Sequence, residues 1–143
     1  MDDRPDLAAM VAPLARHLLA LERPVLEAHG ISMWAYSVLS RLCAEPVRGQ
    51  NQLAEAIGAD KTRIIDVLDD LQARGLISRD PDPADRRARL LAVTPQGRRL
   101  HGQVQRAIRR EEQPVLAALP ASDREVFLRS LATLADALSA DDR

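Results

Sequence analysis

Lys61, Thr62 and Arg63 place three hydrogen-bond donors at consecutive positions, and Asp66 follows one helical turn later. A lysine or arginine in such a run can donate to guanine edges or to phosphate, and the threonine can meet a phosphate or a thymine methyl. A second group, Arg79, Arg86, Arg87 and Arg89, brackets the stretch Asp80-Pro81-Asp82-Pro83-Ala84-Asp85, whose prolines and aspartates specify a turn. Core packing does not require four guanidinium groups around one projecting tip. Such a tip suits the minor groove of DNA, where a narrow groove strengthens the negative potential. Each group also has a plainer reading: a solvated helix start for Lys61 to Asp66, and for the arginines a solvated turn paired internally through Asp82 and Asp85.

Hydrophobic periodicity supplies the elements that must carry these residues. Leu7, Val11, Leu14, Leu18, Leu21 and Val25 alternate steps of four and three, the stripe of a long amphipathic helix. Pro13 predicts a bend or a late start, and His29-Gly30 an end. The seam is longer than a small domain's own core needs, which points to a partner helix. Ser32 can cap a second helix through Trp34, Val38, Leu39, Leu42 and Cys43, closed by Glu45-Pro46, with residues 47–50 as a loop. A short helix over 51–57 and a longer one over 60–74 follow, the latter turning Ile64, Ile65, Leu68 and Leu71 inward, with Gly75 as a left-handed cap. Ala54 and Gly58, four apart, fit the close crossing and tight turn of a helix-turn-helix pair.

Beyond Gly75 the period changes to that of two short strands, 76–79 and 89–94, which form a hairpin. Thr94-Pro95 then opens a helix through Leu100, Val104 and Ile108 to about Glu112, and Pro114 predicts a kink or break. Ser122-Asp123-Arg124-Glu125 reads as a capping box for a last helix with Val126, Phe127, Leu131, Leu134 and Leu138 on its apolar face. No repeat or flexible linker divides the chain. The expected fold is mainly α with a small β-hairpin wing: a winged helix-turn-helix over about 32–94, flanked by helices over about 5–29 and 95–140, to which the family resemblance given below assigns dimerisation, in one domain spanning 1–143.

Composition narrows the function classes. The chain is 46% apolar but only 2% aromatic, which favours helices packed through Leu, Ala, Val and Ile. Its net charge of −1 exerts no long-range pull on a polyanion, so a nucleic-acid surface must come from local clustering. An acidic start, and no apolar run long enough to span a bilayer, predict a cytoplasmic protein without a membrane partner. The lone Cys43 reads as a structural thiol, with a redox sensor as the alternative. His17, His29 and His101 lack metal-ligand spacing, so no metal or other cofactor is expected. With no glycine-rich phosphate loop and no nucleophile motif, an enzyme is not expected either.

The stretch QLAEAIGADKTRIIDVLDDLQARGLISRDPDPADRRARLLAVTPQG, residues 52–97, resembles the signature region of the MarR (multiple antibiotic resistance regulator) family. The order of six helices resembles that family over nearly the whole chain. The wing is the most specific part, with Asp85-Arg86-Arg87 leading to Val93-Thr94-Pro95-Gln96-Gly97; Val93 stands where leucine is usual. The resemblance implies a homodimer with interleaved first, fifth and sixth helices. Its two recognition helices would enter successive major grooves of operator DNA about one turn apart. It further implies that Asp60 pairs with Arg87 to hold the wing while Arg86 enters the groove, with the reverse assignment open. The implied activity is that of a sequence-specific transcription regulator, a repressor released by a small aromatic or phenolic effector. Arg16 would pair with a carboxylate in the effector site, and His17, Trp34 and Tyr36 would line it; for these three, packing in a core or interface is the competing role. The functional alternative is a winged-helix protein-interaction module that no longer reads DNA.

Overall fold

A computed structural model describes residues 2–141. Asp6 opens the first helix, α1 (Leu7–Ala28), by accepting from the Ala9 amide at 2.7 Å. Pro13 and Pro24 both lie inside α1 without ending it. Each deprives one carbonyl of its helical partner, and because both prolines are exposed, water can serve instead. Ser32 caps α2 (Met33–Ala44) as expected, through the Ala35 amide. After it come β1 (Val47–Arg48), α3 (Gln50–Ile57), α4 (Lys61–Ala73), β2 (Ile77–Asp82), β3 (Asp85–Val93), α5 (Pro95–Leu116) and α6 (Ala121–Asp141). The described residues fall into two compact units divided inside α5, the first running to Ile108 and the second starting at Arg109.

The first unit holds the core. Val38, Leu39 and Leu42 of α2, Leu53 of α3, Ile64, Leu68 and Leu71 of α4, Leu91 of β3 and Val104 of α5 are all nearly inaccessible to solvent. Burial of each leucine contributes about 1.5–3 kcal/mol. Ile65 departs from the expected inward face and is 41% exposed, because one residue along a helix is a rotation of about 100° and Ile64 already occupies the core direction. The sheet is antiparallel in the order β1-β3-β2, with Arg79 opposite Leu91 and Val47 also opposite Leu91. A two-residue strand gives no periodic signal, which is why β1 reads as a loop in the sequence. The hairpin is also longer than its apolar residues suggest. β2 is an edge strand and therefore accommodates Pro81, which cannot donate to a ladder.

In the second unit Pro114 sits two residues from the C-terminal end of α5 and does not break it. Arg124 closes the turn after α5, its Nε donating to the carbonyls of Leu116 and Leu119 at 3.0 and 2.9 Å. The expected capping box is displaced. α6 begins at Ala121, and the Pro120 carbonyl accepts from the Asp123 and Arg124 amides, leaving Ser122 inside the first turn. Leu131, Leu134 and Leu138 on this helix are 51%, 60% and 68% exposed.

Candidate nucleic-acid interface

The helix pair is set by its turn. Gly58 adopts φ +70°, the left-handed region that side chains with a Cβ disfavour, and the Ala59 amide reaches back to the Ala54 carbonyl at 2.9 Å. Ala54 is buried where α3 and α4 meet. Asp60 then caps α4, its carboxylate accepting from the Thr62 amide at 2.7 Å. That backbone hydrogen bond, reinforced by the Thr62 hydroxyl, holds the Asp60 carboxyl below its ordinary range. Lys61, Thr62, Arg63 and Asp66 all lie exposed on the outer side of α4. Among the described residues none of Lys61, Arg63 and Asp66 takes part in an ion pair.

The four wing arginines divide into three roles. Arg79 is turned inward: its guanidinium pairs with Asp69 and donates to Gln72 Oε1 at 2.6 Å, tying the base of the hairpin to α4. Although tied to α4 in this way, Arg79 also lines the cleft formed by Arg87 and Arg89. Arg87 and Arg89, two apart on β3, share a strand face and line a cleft of about 500 Å³ with Gln50 and Asn51 at the start of α3. Arg86 is exposed and, by the same alternation, points to the opposite face. The pairing of Asp60 with Arg87 is absent: Asp60 serves as the α4 cap, and the backbone amide of Arg87 donates to Asp85 Oδ1 at 3.0 Å.

Arg48, Gln50 and Asn51 were not singled out from sequence, where the first two fall in a featureless polar loop and Asn51 merely opens the short helix that follows. Strand β1 brings them beside the wing, and the Gly49 amide donates to the Arg89 carbonyl at 2.8 Å. The base of the wing is fastened by Thr94, whose hydroxyl donates to the Gly75 carbonyl and accepts from the Gly97 amide.

The four candidate effector residues lie on α1 and α2. Arg16 and His17 are exposed on α1, and Trp34 is half-buried on α2. Tyr36 stacks on the buried His101 with ring centroids 5.1 Å apart, and Ser40 Oγ lies 2.9 Å from His101 Nε2. A groove of about 340 Å³ between α1 and α2 is lined by Leu19, Arg23, Leu26 and Met33, among others, and by none of the four candidates. The buried positions 97, 101, 104 and 108 of α5 follow steps of four and three, so periodicity alone would have placed His101 inward. Among the described residues no three His, Cys, Asp or Glu side chains gather as a metal site. Burial pushes the Cys43 thiol up against an opposing pull from Arg98, so it stays protonated at neutral pH. No described helix is long and apolar enough to cross a membrane.

A tight helix pair with unpaired basic donors on its second member, followed by a basic hairpin, defines a winged helix-turn-helix of the DNA-binding type. The chain belongs to the MarR family of transcription regulators, whose family pattern matches residues 29–88. It is 30% identical over 112 residues to the putative transcriptional regulatory protein for the hcr operon of Thauera aromatica, covering 78% of this chain and 68% of that one. It is also similar to the transcriptional repressor CouR, solved on a 23-mer DNA duplex, with a TM-score of 0.73, 27% identity and coverage of 91% and 92%. CouR from Rhodococcus jostii RHA1 has also been solved bound to p-coumaroyl-CoA. The PcaV regulator of Streptomyces coelicolor, in complex with its natural ligand, matches with a TM-score of 0.63, 32% identity and coverage of 94% and 98%. The family places the chain among regulators and not among enzymes.

Proposed function

We propose that the chain is a cytoplasmic repressor that binds operator DNA as a homodimer, acts as one domain over residues 1–143, and is released by a small aromatic or phenolic effector. The observation that carries this reading is the pairing of two basic elements in one unit. Lys61, Thr62 and Arg63 stand exposed at the start of α4, and Arg86, Arg87 and Arg89 stand exposed on the neighbouring wing. The CouR complex with duplex DNA supports it, as a structural relative above a quarter identity. The dimer is supported by apolar side chains left in water, among them Leu7, Val11 and Leu19 on α1 and Leu131, Leu134 and Leu138 on α6. The effector is supported by the small-molecule complexes of CouR and PcaV. Within this chain, Trp34 and Tyr36 supply rings that could stack on such a ligand.

The test is binding of purified protein to the DNA upstream of its own gene. Arg63→Ala should weaken it by about 1–3 kcal/mol if the side chain meets a base edge. Removing Arg86 and Arg87 together should weaken it further and flatten its dependence on salt. Binding unchanged by all three substitutions, or a tight protein complex with no retained DNA fragment, would replace this reading with an interaction module. Titrating aromatic acids into the DNA complex tests the effector; release of DNA is the expected result.

A further inference from the structure

Asp82 lies near the tip of the wing, where Pro81, Pro83, Ala84 and Asp85 are exposed, yet it is only 3% exposed itself. One carboxylate oxygen accepts from the Ala84 amide at 2.9 Å. The other lies 3.0 Å from Arg48 Nε but makes no aligned hydrogen bond, so the Arg48 contact acts as charge against charge. A carboxylate so enclosed is tolerable as an anion only with a cation beside it. Arg48 is well placed to supply that charge: β1 pairs it with Leu90, and the next amide, Gly49, is bonded to the Arg89 carbonyl. The β2–β3 ladder loses its regular register between Pro81 and Asp82, so strand pairing alone does not fix the tip.

We propose that Arg48 is a positioning residue for DNA binding, acting through buried Asp82 to hold the hairpin tip so that Arg86 and Arg87 meet the duplex in a fixed arrangement. This rests on the DNA-binding reading above. It assigns a role to a residue in β1, outside both the recognition helix and the hairpin.

The sign of one substitution separates this role from simple electrostatics. Asp82→Asn removes a negative charge from a surface that approaches a polyanion, so charge alone would tighten binding. Loss of the tie should instead weaken operator binding, roughly tenfold if one wing contact is lost. Arg48→Met should do the same, the double variant should be no weaker than the worse single one, and Arg48→Lys should recover part of the loss. Trypsin nicking after Arg86 and Arg87, measured without DNA, should speed up in Arg48→Met and Asp82→Asn while the thermal midpoint of the core changes little. If Asp82→Asn fails to fold, Arg48→Met and Arg48→Lys give the same two readouts. The proposal is overturned if Asp82→Asn binds DNA as well as or better than the parent chain, if nicking is unchanged, or if the loss from Arg48→Met adds in full to that of an Arg86→Ala, Arg87→Ala variant. A parent chain that binds no DNA at all would defeat the wider reading, whereas the nicking assay would still judge the tie.

Discussion

Gly97 and Gly102 lie in the same helix, and replacing each with alanine should have opposite consequences. A Cβ on Gly97 would stand 2.0 Å from the Leu76 carbonyl oxygen and 2.9 Å from Cγ2 of Val93. Ordinary carbon-to-oxygen contacts begin near 3.3 Å, so α5 and the entry to β2 would have to part by about 1.3 Å. The same Leu76 carbonyl accepts from the Thr94 amide at 3.1 Å, and the Thr94 hydroxyl bridges Gly75 and Gly97, so the separation strains three hydrogen bonds together. Overpacking costs about 1–3 kcal/mol, and bending these bonds adds about 1–2, for a loss of roughly 2–5 kcal/mol. That is a large part of the ~5–15 kcal/mol expected for a domain, and it should lower the thermal midpoint by roughly 6–15 °C. At Gly102 the new methyl would meet only the mobile end of Arg106, at 3.3 Å. There the helix should gain up to about 1 kcal/mol through a less flexible unfolded chain. Urea melts followed by circular dichroism measure both. The reasoning fails if Gly97→Ala melts within 1 kcal/mol of the parent, or if the two substitutions shift stability in the same direction.

Three other outcomes follow from the geometry. Leu68→Ala, at a position fully closed to solvent, should cost about 2–5 kcal/mol in the same urea melts, far more than Ile65→Ala on the exposed side of α4. Asp60 has a folded carboxyl below its ordinary value of 3.8, so its stabilising contribution is complete above that value and is lost as pH falls through the lower folded one. Acid titration of Asp60→Asn against the parent should therefore show the two melts converging below the ordinary carboxylate range; a difference that persists there would contradict the cap. Leu134→Asp should yield monomers in sedimentation experiments if α6 is covered by a second copy, and an unchanged oligomer would mean that another surface pairs the chains.

The recognition half of this fold is legible in the sequence because each of its decisions is local. Ser32, Asp60 and Thr94 are side-chain caps, Gly58 and Gly75 take positive φ, and the apolar stripes of α2 and α4 keep a helical period. What escaped was set by distant partners. Arg79 reads as a free wing cation, but Asp69 and Gln72, on the preceding helix, turn it inward. Asp60 reads as the partner of Arg87, but its carboxylate caps α4 through the Thr62 amide two residues on, and among the described residues it forms no ion pair with Arg87. β1 has only two residues, so Arg48 showed nothing of its reach to Asp82. The prolines misled in the other direction: Pro13 and Pro114 lie on exposed helix surface, where a missing amide is tolerated.

Footprinting of the purified protein along the DNA upstream of its own gene tests the central claim most directly. Two protected patches should appear on one face of the duplex, about 10 base pairs apart from centre to centre, and both should fade together in an Arg86→Ala, Arg87→Ala variant. A single patch, or protection that survives loss of both arginines, would contradict a paired set of recognition helices and wings.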